Sequence, residues 1–377
     1  MRFTWDIFCT VIDNFGDIGV TWRLARQLAA EHDLDVRLWV DDLGAFVRLC
    51  PSADASLAVQ EVQGVAVHYW AAQWSPVAAA DVVIEAFACE LPPAYIAGMQ
   101  GRERPSLWLN LEYLSAEAWV DDCHGLPSPQ GKGLQKYFFF PGFSTRSGGL
   151  LREAGLIARR RAFQCDIAAQ QAFLHDIGVA RASGHRLISL FCYENSALSS
   201  LLDALAESVQ PSLLLVPEGC VSAGLKSYFG LEHISRDHSY ERGALTVQLI
   251  PFLSQQDYDY LLWSCDLNFV RGEDSFIRAQ WAARPFIWHI YPQQDEVHID
   301  KLQAFLDRFS VCLDGACSEV LSALSMDWNE GRNMAQSWRR YDAASPVLAG
   351  HTADWSARLA EGENLAYSLV QFHQNWL

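Results

Sequence analysis

Apolar runs alternate with amphipathic stretches along most of the chain. Trp5-Asp-Ile-Phe-Cys-Thr-Val-Ile12 is mostly apolar and β-prone, and residues 20–30 then carry apolar side chains at helical spacing. Further strand-like runs at 35–41, 65–70, 81–87 and 106–110 continue the alternation and predict a mainly parallel α/β sheet. From 121 to 149 the chain is rich in Gly, Pro and Ser around Tyr137-Phe-Phe-Phe140, which predicts long ordered loops shaping a surface for a partner. Helical spacing returns over 157–177, and Ala182-Ser-Gly184 marks a boundary. Strand-like runs at 186–193, 212–217, 245–250, 266–270 and 285–289 predict a second sheet of the same class. The expected domains are 1–180 and 181–351, with a single long helix at 352–377 packing back on the first.

Half of the 377 residues are hydrophobic, enough for two sizeable cores. A net charge of −17 argues against general nucleic-acid binding, which needs a basic stripe, and favours a cationic partner. The compact basic run Arg159-Arg-Arg161 is expected on a solvated helix face. The opening residues Met1-Arg-Phe-Thr-Trp-Asp6 show no basic region followed by an apolar stretch and cleavage site. No apolar run reaches membrane-spanning length, so the expectation is a cytoplasmic protein without a membrane partner. Ten scattered cysteines, with no CxxC pair, read as reduced core residues, and no metal site is expected.

Two segments carry candidate chemistry. In Thr10-Val-Ile-Asp-Asn-Phe-Gly-Asp-Ile-Gly-Val20, Asp13 and Asp17 fall on a strand-to-helix turn with Asn14, Phe15, Gly16 and Gly19. Carboxyl ends of strands form the ligand crevice of open α/β sheets, so these acids read as substrate groups, or else as helix caps and dipole partners. In Val270-Arg-Gly-Glu-Asp-Ser-Phe-Ile-Arg-Ala-Gln280, a strand gives way to a helix starting near Asp274 or Ser275. Amides at such a start bind a nucleotide diphosphate, with Arg271 adding charge, Gly272 close approach and Ser275 a hydroxyl; ordinary capping by Asp274 or Ser275 is the alternative. Phe191, Tyr193, Phe252, Gln255, Tyr258 and Tyr291 fall at other expected strand ends, where rings can stack a base. Neither a GxGxxG fingerprint nor a GxxxxGK[ST] loop is present, which favours a nucleotide bound as a sugar donor.

The paired motifs Val11-Ile-Asp-Asn-Phe-Gly-Asp-Ile-Gly-Val20 and Arg271-Gly-Glu-Asp-Ser275 closely resemble the elongation factor P arginine rhamnosyltransferase family. Trp22-Arg-Leu-Ala-Arg26, Pro141-Gly-Phe143, Gly148-Gly-Leu-Leu-Arg-Glu153 and Tyr291-Pro-Gln-Gln-Asp295 extend the likeness along the whole chain. The resemblance implies an α/β GT-B glycosyltransferase architecture, two facing Rossmann-like domains with an interdomain cleft. It also implies inverting transfer of rhamnose from dTDP-β-L-rhamnose to an arginine of elongation factor P, without cofactor or metal. By the same match Asp13 is the general base, Asp17 supports it or holds the guanidinium, and Glu273 is the third essential carboxylate. Phe252 and Gln255 fall to the thymine and ribose end, and Tyr193, Arg271, Asp274 and Ser275 to the diphosphate. Phe191, Tyr258 and Tyr291 are assigned near the donor. Domain closure on donor binding, hinged near 180 and at the C-terminal helix, is a further expectation. Two other readings stay open at the level of residues: a nucleotide-sugar sensor without catalysis, and a glycosyltransferase for a small molecule or lipid.

Overall fold

The computed structural model describes residues 2–13, 15–293 and 296–377, and of Lys132 only the backbone. The chain forms two compact units, Met1–Leu156 with Glu361–Leu377, and Ile157–Ala360.

The first unit holds an eight-stranded sheet. Its strands are β1 (Thr4–Cys9), β2 (Asp35–Val40), β3 (Val59–Val62), β4 (Val65–Tyr69), β5 (Val82–Ala86), β6 (Leu107–Leu111), β7 (Pro127–Pro129) and β8 (Gln135–Phe139). Their spatial order is β3-β4-β2-β1-β5-β6-β8-β7, parallel throughout except for the edge pairs β3–β4 and β7–β8. Central β1 is buried over its last five residues, as expected of a parallel strand covered on both faces, and Ile7 pairs with Leu38 on one side and Ile84 on the other. The chain leaves β1 towards β2 and later returns to β5 on its other side. A topological switch point therefore lies between the carboxyl ends of β1 and β5.

Residues 121–149 are more regular than their composition suggests. Tyr137-Phe-Phe-Phe140 supplies most of β8, with Tyr137 opposite Leu109 and Phe139 opposite Leu111, because pairing with β6 satisfies the backbone and lets alternate rings pack. The expected tail helix is two helices, Ala335–Ala360 and Leu365–Trp376, separated at Asn364, whose side chain caps the second by accepting from the Tyr367 amide. Only the last helix joins the first unit. There His373 meets Phe3 and Trp5 edge-on at 4.8 and 5.7 Å, and Phe372 meets Tyr137 and Phe139.

The second unit holds β9 (Arg186–Leu190), β10 (Ser212–Pro217), β11 (Ser239–Arg242), β12 (Leu245–Ile250), β13 (Leu267–Arg271) and β14 (Phe286–His289). The order is β11-β12-β10-β9-β13-β14, with only β11–β12 antiparallel, so this sheet has its switch point between β9 and β13. The division of the chain falls at 156 rather than 180, and at 360 rather than 351. The reason is packing. Phe163 lies 4.8 Å from Tyr260, and Leu174 and Val179 share a core with Leu187, Leu213 and Leu215.

The expected helix at 157–177 is likewise two, Leu156–Cys165 and Ile167–Asp176, with Asp166 capping the second. Arg159-Arg-Arg161 is not a solvated face throughout: Arg160 is 6% exposed and donates to the Trp281 carbonyl and Ser356 Oγ. Successive helical residues point about 100° apart, so a run of three charges cannot all face water on a packed helix. The ten cysteines are free thiols, six of them buried. Among the described residues no helix is long and apolar enough to cross a membrane.

Candidate active site

The β1 turn is organised by a buried carboxylate. Asp17, 1% exposed at the start of the Gly16–His32 helix, points back into the turn, where its Oδ2 accepts the Ile12 and Asp13 amides, each at 2.9 Å. Its Oδ1 accepts the Tyr113 hydroxyl at 3.1 Å. Asp41, at the end of β2, accepts the Val11 amide at 2.9 Å. These bonds leave the half-exposed Asp13 on a rigid frame, because the consecutive amides of Val11, Ile12 and Asp13 are each tied to a carboxylate.

Two neighbours explain the local sequence. A Cβ on Gly16 would stand 2.7 Å from Asp13 Oδ2, so glycine is needed where the Asp13 carboxylate lies over the backbone. Gly16 also donates its amide to the Asp13 carbonyl at 2.6 Å. Phe15 is the N-cap residue, with the Arg48 guanidinium 5.2 Å over its ring, and Gly19 is buried one turn further on. Asn14 lies outside the described residues.

Tyr113 and Phe87 were not singled out from sequence. Tyr113 follows β6 and stacks on Phe87 after β5, with centroids 4.4 Å apart and planes 14° off parallel. Phe87 and Ala88 are consecutive left-handed residues, φ 56° and 55°, at the switch point of this sheet. A non-glycine pair in that conformation is strained and persists because its surroundings hold it: the Phe87 amide donates to the Leu111 carbonyl and the Ala88 amide to Asn110 Oδ1. Their position just past strand ends is the signal that would have found them.

In the second unit the switch point carries a fixed cation. The Arg271 guanidinium lies 4.3 Å over the Phe191 ring and 4.8 Å over the Tyr193 ring, both just past β9, and its Nη1 donates to the Cys192 carbonyl at 3.2 Å. Stacking on two rings orients the guanidinium while leaving it charged. The Arg271 amide donates to Ser275 Oγ at 3.0 Å, and the Ser275 hydroxyl donates back to the Arg271 carbonyl. Ser275 thus locks strand end to helix start.

Gly272 follows at φ 57°, a left-handed position suited to glycine, with its carbonyl taken by Trp288 Nε1 at 2.7 Å. Glu273 is the N-cap residue of the Asp274–Ala282 helix, and its side chain makes no capping hydrogen bond, while the Ser275 hydroxyl is turned back to Arg271. The first amides of the helix therefore remain an anion-binding feature of the backbone.

The flanking elements bring the other candidates close. Gln255, buried at the start of the Gln255–Ser264 helix, donates to Asp274 Oδ2 at 3.3 Å. Tyr258 approaches Phe191 at 5.7 Å, and burial raises its phenol above the ordinary range. Tyr291, 43% exposed, stands edge-on to Tyr193 at 5.5 Å, and Phe252 is half-buried between β12 and the Gln255 helix. Gln294 and Asp295 lie outside the described residues.

Beneath the site, Arg278 and Asp259 form a buried two-pronged ion pair at 2.8 and 2.6 Å that fixes the two helices. His289 is 4% exposed, and burial, with Arg271 and His298 nearby, lowers it to about 4, so it is a neutral imidazole beside the cation at neutral pH. Among the described residues no group of three or more His, Cys, Asp and Glu side chains is disposed to hold a metal ion.

Comparison with known proteins gives a consistent result. The signature of a family described as Elongation-Factor P (EF-P) rhamnosyltransferase EarP matches residues 5–374. A protein-arginine rhamnosyltransferase of Pseudomonas putida is 56% identical over 377 residues, covering 100% of both chains. A structure solved to explain EarP-mediated arginine glycosylation of translation elongation factor EF-P is 42% identical and superposes with a TM-score of 0.73 over 100% of both chains. At the level of fold alone, MurG of Acinetobacter baumannii superposes with a TM-score of 0.51 at 12% identity, again over 100% of both chains. The fold class is that of the GT-B glycosyltransferases, with two parallel α/β sheets.

Proposed function

The chain belongs to the elongation factor P rhamnosyltransferase family, EarP, a glycosyltransferase family, and from that premise we propose that it moves L-rhamnose from dTDP-β-L-rhamnose to an arginine of translation elongation factor P, with inversion. The modified factor would relieve ribosome stalling at polyproline, and the cytoplasm is the compartment where it serves. The observation that carries this reading is the pair of switch-point turns, two carboxylates after β1 and an arginine stacked on two rings beside a helix start after β13.

An acceptor arginine is a protonated guanidinium, with a solution pKa above about 12, so its nitrogen must shed a proton and delocalisation as it attacks. Asp13 takes that proton, a role worth on the order of 10² to 10⁴ in rate. Asp17 positions Asp13 through their shared turn and adds negative charge to hold the cation. One displacement inverts the anomeric carbon: the bond from nitrogen forms as the bond to the diphosphate oxygen breaks, and the electron pair leaves on dTDP. Arg271 and the amides opening the Asp274–Ala282 helix stabilise that charge in place of a metal ion or cofactor.

Phe252 and Gln255 serve the thymine and ribose end, and Phe191, Tyr258 and Tyr291 flank the donor. Tyr193, Arg271, Asp274 and Ser275 serve the diphosphate, Ser275 through its backbone amide because its hydroxyl is turned to Arg271. Glu273 is the third carboxylate. Asn14, Phe15, Gly16 and Gly19 shape the turn that meets the acceptor.

Intact-protein mass spectrometry of unmodified elongation factor P, incubated with this chain and dTDP-rhamnose, tests the reading. A gain of one deoxyhexose on a single arginine is expected. Donor binding without any mass change would overturn it in favour of a sensor or another acceptor.

A further inference from the structure

At the opposite ends of the second unit's strands, the amino ends of β9 and β13 and the approach to β14 border a cavity of about 480 Å³. In a chain of net charge −17, three guanidiniums and an imidazole line it, from Arg181, Arg186, Arg284 and His185, against the single lining carboxylate of Asp266. That carboxylate is already engaged: its Oδ2 accepts Arg181 Nη2 at 2.7 Å and the Leu187 amide at 2.8 Å. Arg186 is held by Asp342, by Gln210 Oε1 at 2.8 Å and by the Trp338 ring. Arg284 gives only its Nε to the Trp263 carbonyl, at 3.4 Å, and has no carboxylate partner among the described residues.

His185 Nδ1 is buried and has no hydrogen-bond partner among the described residues. With Arg181 and Arg186 each matched by a carboxylate, the cavity keeps one half-buried guanidinium without such a partner among the described residues, Arg284, and the unpaired buried nitrogen of His185, two groups that suit an anionic ligand. Leu267, Pro285 and Pro346 add an apolar part to the same lining, large enough in sum for a carbon skeleton beside the anion.

We infer that this cavity is a second ligand site, one that takes the phosphate group of a small phosphorylated molecule or free phosphate. It is separate from the β13 turn, which lies at the other end of the same strands.

Calorimetric titration of the full chain with inorganic phosphate and with glycerol 3-phosphate tests the inference, using an Arg271→Gln background to remove the arginine of the β13 turn. One saturable site is expected. Adding Arg284→Gln should weaken it by about tenfold or more, the loss of one charge-assisted contact. Adding Ser345→Glu, which brings a carboxylate to the lining, should do the same from a different residue. Thermal unfolding checks that each variant stays folded. Tighter binding of glycerol 3-phosphate supports an ester ligand, and equal binding supports free phosphate. No saturable binding, or equal binding in the folded Arg284→Gln and Ser345→Glu variants, would overturn the inference.

Discussion

After β1, the Asp17 side chain reaches back four residues to the Asp13 amide; after β13, the Ser275 side chain reaches back four residues to the Arg271 amide. Both contacts fasten a helix start to the chain leaving a central strand, at a switch point of a parallel sheet. They differ in charge. The first staple is an anion, and the residue it holds is another anion, so the turn suits a cation. The second staple is a neutral hydroxyl, and it holds an arginine at a helix start that also carries Glu273 and Asp274, so the groups there that can meet an anion are the guanidinium and the backbone amides. One backbone frame therefore presents different chemistry at its two copies, and the staple residues, rather than the fold, set the difference.

The largest expected effect separates the two turns. Asp13→Asn should lower transfer by about 10² to 10⁴ while donor affinity, read by calorimetry, stays the same. Retained turnover there, with loss in Asp17→Asn, would move the base to Asp17. Arg271→Gln should act in the opposite way, weakening dTDP-rhamnose binding by about 10- to 100-fold, as expected for a lost charge-assisted contact. Equal donor affinities in wild type and variant would remove Arg271 from the diphosphate site.

Gly16→Ala sharpens the comparison within the first turn. The new Cβ would meet Asp13 Oδ2 at 2.7 Å and displace the carboxylate, so kcat should fall by about tenfold with donor KM unchanged. An unchanged kcat would mean that Asp13 does not need this placement. The smallest effect is expected for Tyr113→Phe, which keeps the stack on Phe87 but removes the 3.1 Å bond to Asp17. A loss of about 1 kcal/mol corresponds to roughly a fivefold fall in kcat. A shift in donor KM instead would place Tyr113 in donor binding.

Much of the fold was legible because local pattern and local structure coincide. Apolar runs at 5–12 and 266–270 became β1 and β13, and the residues after them became the two turns, since strand length and helix start are set by nearby side chains. Legibility failed where long-range packing outweighed local composition. Gly- and Pro-rich flanks concealed β8, which exists because β6 offers it a partner. Similarly, local helical spacing before the Ala182-Ser-Gly184 boundary assigns 157–177 to the first domain, whereas Phe163 and Leu174 find their core in the second unit.

By itself, the sequence determined which chemistry is available at each turn: Asp13, Asp17 and the glycines on one, Arg271, Glu273 and Ser275 on the other, each just past an apolar strand-like run. The tertiary structure alone decided how those groups are used. Tyr113 reaches Asp17 across 96 residues, and Arg271 finds Phe191 and Cys192 some 80 positions earlier, because β6 and β9 deliver them to the same sheet ends. Spacing along the chain governs backbone geometry within a few residues. Which distant side chain meets a carboxylate or a guanidinium depends on strand order, and strand order is settled only when the whole sheet packs.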